Sequence, residues 1–204
     1  MNRRSAARRV WLGALAIPLV LAAVGSPGPP AFADGYGDGP VPPRRDGFAI
    51  GVAVGPSLFL GAGELNAKKG VGGALNIRVG TVATQDLLWL LELQAGSYLV
   101  DLTNESGAAR IDNSYVMLTL GGQLYVRESV WLRAGAGVAG FWEEEQGMRR
   151  EGTGRDGLAF AAGGGYDFFR RGRFAVDLEL LASGALLDGD FLGHGALLLG
   201  VIWY

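Results

Sequence analysis

Along most of this chain, large apolar residues recur at every second position. Phe48, Ile50, Val52 and Val54 alternate with Ala49, Gly51, Ala53 and Gly55. A period of two places successive side chains on opposite faces of an extended strand. The same pattern predicts seven strands, at about 48–60, 71–83, 87–102, 114–127, 130–142, 158–169 and 174–187, and a nearly uniform apolar run predicts an eighth at 196–204. In the first seven, one face is large and apolar. The other face gathers small residues together with Asn76, Arg78, Glu92, Gln94, Thr119, Gln123, Arg133, Asp167, Asp177 and Glu179. A soluble barrel would carry its charges outside and its large apolar residues inside. Here the charges share a face with glycine and alanine, which predicts a crowded polar interior and an apolar exterior.

The connections alternate in length. They are short after the second, fourth and sixth strands: Thr84-Gln85-Asp86, Glu128-Ser129 and Arg170-Arg171-Gly172-Arg173. They are longer after the first, third, fifth and seventh, at about 61–70, 103–113, 143–157 and 188–195. A meander needs no such rule, whereas a membrane barrel has short periplasmic turns and longer extracellular loops. An even strand number leaves both barrel ends on the short-turn side.

The first residues set the compartment. Arg3, Arg4, Arg8 and Arg9 precede an uncharged apolar run from Val10 to Val24, and Ala31-Phe32-Ala33 forms a small-x-small site. Basic segment, short apolar core and such a site together predict a secretory signal peptide over 1–33. The core is short for a membrane-spanning helix and contains Pro18. The Pro/Gly-rich stretch 34–47 is predicted to be a flexible periplasmic leader, and 48–204 the barrel. With the signal arginines set aside, 14 Lys+Arg stand against 20 Asp+Glu, a balance near −6 that argues against nucleic-acid binding. The chain has no cysteine, so disulfides and cysteine metal sites are excluded.

Strand number, connection pattern and the terminal Trp203-Tyr204 resemble the small eight-stranded outer-membrane β-barrel proteins of the OmpA/OmpX type. The resemblance covers about 48–204 and implies an all-β, eight-stranded antiparallel up-and-down transmembrane β-barrel in a Gram-negative outer membrane. It implies outer-membrane lipid and lipopolysaccharide as surroundings, and barrel-assembly machinery as a partner during biogenesis. Trp203 and Tyr204 would then be the assembly signal. By the same analogy, Leu198, Ile202 and Tyr204 are expected to face outward, since the last strand is too uniformly apolar for pattern alone to orient it. The chain is expected to end with this strand, without a peptidoglycan-binding domain.

Candidate chemistry is sparse. Gly135-Ala136-Gly137-Val138-Ala139-Gly140 matches a dinucleotide fingerprint, but strand-like sequence flanks it on both sides and no helix pattern follows. His194, with Ser183 and Glu179, supplies the residue types of a hydrolase such as a lipid A deacylase, yet His194 is expected in a solvated loop. Glu143-Glu144-Glu145 and Asp188-Gly189-Asp190 lack EF-hand spacing and read as solvated loops rather than cation sites. Lys68-Lys69 and Met148-Arg149-Arg150 could meet lipopolysaccharide phosphates, and the glycosylation-like Asn104-Glu105-Ser106 is incidental in a bacterial envelope protein. No catalytic, cofactor or metal residue is assigned. Arg78, Glu92, Arg133, Asp167, Asp177 and Glu179 are expected to form a paired network in the lumen, with Arg78 near Glu92 and Arg133 near Asp167. The favoured function is a non-enzymatic envelope-structural or surface-interaction protein acting through four extracellular loops. The alternatives are a lipid-modifying enzyme, a small channel and a soluble periplasmic ligand-binding barrel.

Overall fold

The computed structural model describes residues 45–63, 69–104, 107–145, 148–149 and 154–204, with side chains described outside 99–111 and 144–149. The expected signal peptide and residues 34–44 of the leader lie outside the described residues. Eight long strands follow in chain order: β1 Phe48–Ala62, β2 Lys69–Val82, β3 Leu87–Asn104, β4 Gly107–Tyr125, β5 Val130–Glu145, β6 Arg155–Arg171, β7 Phe174–Leu187 and β8 Asp190–Trp203. A two-residue strand, Met148–Arg149, pairs antiparallel with Glu144–Glu145 at the end of β5. Each long strand pairs antiparallel with the next, and β1 pairs with β8. The sheet therefore closes on itself and no long strand keeps a free edge.

The alternation read in the sequence sorts as expected on seven strands. Ile50, Leu75, Trp89, Leu120, Leu132, Leu158 and Leu180 point outward, while Arg78, Glu92, Gln123, Arg133, Asp167 and Glu179 point into the lumen. The outer wall is thus an apolar band, the reverse of a soluble barrel's surface.

The last strand departs from expectation. Leu198 and Ile202 are fully buried in the lumen and Tyr204 nearly so, whereas Leu197, Leu199 and Trp203 face outward. Directly paired residues share a face of the sheet. Ile202 pairs with Gly51 of β1 and Ala175 of β7, whose side faces the lumen. Register decides the facing where hydrophobicity is uniform. Only Trp203 of the terminal pair joins the outer aromatic belt, against Phe174.

The connections opposite the short turns also differ. The β3–β4 ladder continues to Asn104 and Gly107, and β7 joins β8 through the two-residue turn Asp188–Gly189. Asp188 there has φ 40 and Gly189 φ 94. Much of what reads as loop by hydropathy is strand, because ladder hydrogen bonds continue past the apolar band. His194 consequently lies within β8 rather than in a loop.

Candidate functional site

The lumen is filled in layers that can be followed along β7. Ala175 at the short-turn end belongs to a cluster with Ala49, Leu88, Leu90, Tyr125, Trp131, Ile202 and Tyr204. Asp177 and Glu179 come next, in an ionic layer. Leu181 lies in a layer of small and aliphatic residues, with Ala53, Ala74, Ala161, Ala196 and Leu198. Leu187 closes the sequence in an aromatic-rich cluster with Phe59, Tyr98, Tyr115, Met117, Phe141 and Leu192.

The ion pairs of this layer skip over the neighbouring strands. Arg78 and Glu92 are directly opposed in register. Yet Arg78 Nη2 donates to Asp177 Oδ2 at 3.0 Å, and its Nη1 lies 3.4 Å from Glu179 Oε2. Arg133 pairs with Glu179 and, through Nε, with Glu92 Oε2 at 3.3 Å. Asn76 Nδ2 donates to the same Glu92 oxygen at 3.3 Å. Both arginines thus bind carboxylates from strands remote in the sequence. Guanidinium is suited to this, since its fork reaches several acceptors at once. Sequence reasoning set Arg78 near Glu92 and Arg133 near Asp167; the arginines instead meet Asp177, Glu179 and Glu92. A long arginine side chain in a narrow bore reaches past its neighbouring strands to strands two or three away, which strand adjacency does not reveal.

Asp167 stands apart from Arg133. It accepts from Trp131 Nε1 at 3.0 Å, from the Tyr125 hydroxyl at 3.2 Å, and from Arg170 Nε and Nη2 at 2.8 and 2.6 Å. A register shift between Asp167 and Phe169 accompanies this, and Phe168 and Phe169 both face outward. Such a bulge re-aims side chains, here bringing Arg170 back over Asp167. Trp131 packs against Gly165, where an added Cβ would come within 2.3 Å of the indole. Only glycine leaves room for that ring.

Near the opposite end, His194 is buried and bridges two hydroxyls. Its Nδ1 lies 2.9 Å from Ser183 Oγ and its Nε2 3.0 Å from Tyr115 Oη. Phe59 and Tyr115 rings pack at 4.9 and 5.0 Å from the imidazole. The loop histidine expected from sequence is therefore a core histidine. Glu179, the carboxylate of the Ser-His-Glu alternative, is held by the two arginines instead of orienting the ring. The glycine run 135–140 lies inside β5, with no helix to cradle a pyrophosphate. Asp190 pairs with Arg155. Among the described residues, no three His, Asp or Glu side chains gather as metal ligands. Lys68, Arg150 and the side chains of Glu144, Glu145 and Arg149 lie outside the described set. The site that sequence reading missed is Arg45, expected in the leader yet buried at the short-turn mouth.

No protein-family model matches the sequence, and no curated protein matches it significantly. Solved structures do match. The attachment invasion locus protein Ail of Yersinia pestis, in complex with the heparin analogue sucrose octasulfate, aligns with TM-score 0.52 at 18% identity, over 77% of this chain and 99% of Ail. Neisserial surface protein A aligns with TM-score 0.52 at 12% identity, over 76% of this chain and 96% of the other. The outer membrane protein OprG of Pseudomonas aeruginosa aligns with TM-score 0.50 at 12% identity, over 81% and 100%. Closed antiparallel topology, an apolar outer wall and these likenesses agree: the chain has the eight-stranded up-and-down fold of small outer-membrane β-barrels.

Proposed function

We propose that this protein is a non-enzymatic outer-membrane barrel, a scaffold whose outer end meets the cell surface environment. The observation that carries the reading is the continuous filling of the lumen, from Tyr204 and Tyr125 through the Arg78–Arg133 layer to Phe59 and Tyr115. Eight strands enclose a bore only wide enough for side chains, and here those side chains pair and pack. A hydrated pore would leave the charges separately solvated. Among the described residues, the buried Ser183–His194–Tyr115 set has no carboxylate partner, which favours a structural role over hydrolysis.

In this reading residues 1–33 direct export, the assembly machinery recognises the strand ending in Trp203 and Tyr204, and the short turns face the periplasm. The outer end then meets lipopolysaccharide, with exposed Lys69 among the groups able to reach its phosphates. The structure of Ail with a sulfated heparin analogue makes anionic surface glycans the first partner class to test.

Fractionation followed by planar-bilayer recording tests the proposal. The protein should require detergent for release, begin at Asp34, and give no stable stepwise currents. Release by osmotic shock would overturn the membrane assignment, and porin-like steps would overturn the filled scaffold. Lipid A should have the same mass spectrum with and without His194→Ala; a difference would favour the enzyme.

A further inference from the structure

Arg45 precedes β1 and belongs to no strand, yet it is only 6% exposed. Its Nη1 donates to the carbonyl of Gln85 at 3.0 Å, in the β2–β3 turn. Its Nη2 donates to the carbonyl of Glu128 at 2.5 Å, in the β4–β5 turn. The guanidinium carbon sits 3.3 Å from the centre of the Tyr125 ring and 5.8 Å from that of Tyr204. The next residue, Asp46, accepts from Arg173 Nη2 at 2.5 Å, at the β6–β7 turn. Gly47 then accepts from Val82 N at 2.9 Å, at the end of β2. Three consecutive residues thus touch all three short turns.

The chemistry explains why arginine occupies this place. Turn carbonyls at the mouth need donors. A planar guanidinium can serve two carbonyls from different turns while its face lies on an aromatic ring. A lysine ammonium has neither the fork nor the flat face. Gly47, at φ 75, supplies the bend that carries the chain from β1 across the mouth, a conformation costly for other residues. Beneath the guanidinium, Tyr125 and Tyr204 are hydroxyl-bonded to each other, and Tyr125 continues to Asp167.

We propose that Arg45–Gly47 is a strap that seals the short-turn mouth of the lumen and clamps its three turns together. Arg45 meets partners 40 and 83 residues away. Those contacts exist only once β2 to β5 stand in their final order, so the strap locks a completed barrel rather than guiding its early hairpins. The seal is independent of what the outer end binds and of the ionic layer deeper in the bore.

The absence of native cysteine makes a direct test simple. Ala175, fully buried in the layer beneath the strap, is replaced by cysteine as a single reporter. The folded, detergent-solubilised barrel is then treated with a bulky polar maleimide. Adding Arg45→Ala should raise the labelling rate by at least about tenfold, because the covering layer opens locally without global unfolding. Arg45→Lys should restore part of the protection. Equal rates with and without Arg45 would overturn the strap. Trypsin on the unaltered barrel gives a check that needs no variant. The Arg45–Asp46 bond should survive native digestion and be cut after denaturation; rapid native cleavage at that bond would overturn the proposal even if Arg45→Ala failed to fold.

Discussion

Replacing Arg78 by methionine removes a fully buried charge and leaves its partners in place. Asp177 lies 3.0 Å and Glu179 3.4 Å from the guanidinium, and neither side chain is more than 1% exposed. Before the change, Arg78 and Arg133 face Glu92, Asp177 and Glu179; Asp167 has its own Arg170. Afterwards Arg133 alone faces the three carboxylates. Glu92 and Glu179 keep it as partner, while Asp177 loses its ion pair. Breaking a buried pair on one side costs about 3–5 kcal/mol. Asp177→Asn works the other way. It leaves two arginines facing Glu92 and Glu179, and Arg78 still has Glu179, so the cost should be about 1 kcal/mol, the scale of one hydrogen bond. The double variant should be less damaged than Arg78→Met alone, with a coupling above about 1 kcal/mol. Urea unfolding in lipid vesicles, followed by tryptophan fluorescence, supplies the measurement; Trp131 lies 5.6 Å from the Arg78 guanidinium. Equal losses for the two single variants, or strictly additive losses in the double, would refute a coupled ionic layer.

Other outcomes follow from the same packing. Gly165→Ala should destabilise by about 1–3 kcal/mol in that titration, because the new methyl meets the Trp131 ring. Gly73→Ala, with open space around its would-be Cβ, should behave like the unaltered protein and serves as control. Deleting Trp203 and Tyr204 should reduce the folded, heat-modifiable gel band more than alanine at exposed Lys69. The deletion removes both an outer contact to Phe174 and the inner Tyr125 bond. A normal folded band from the truncated chain would count against a closing role.

Strand number, strand order and the division into lipid-facing and lumen-facing sides are legible in the sequence. A side-chain period of two, broken by turn residues, is a local property, and local spacing writes it directly into residues such as Ile50, Arg78 and Leu120. The inward facing of Arg78, Glu92, Arg133, Asp167, Asp177 and Glu179 is legible for the same reason: charges on the small-residue face have nowhere to go but inward. Local pattern cannot say which charges meet, because Arg78 and Arg133 reach past their neighbours to strands two or three away. It cannot orient β8, where nearly every residue is apolar and only pairing with Gly51 and Ala175 turns Ile202 inward. It misplaces His194, whose strand is held by ladder hydrogen bonds that hydropathy does not record. It gives no sign that Arg45, within a Pro/Gly-rich leader, would fold across the mouth. That contact depends on three turns brought together by barrel closure, so tertiary structure alone decides it.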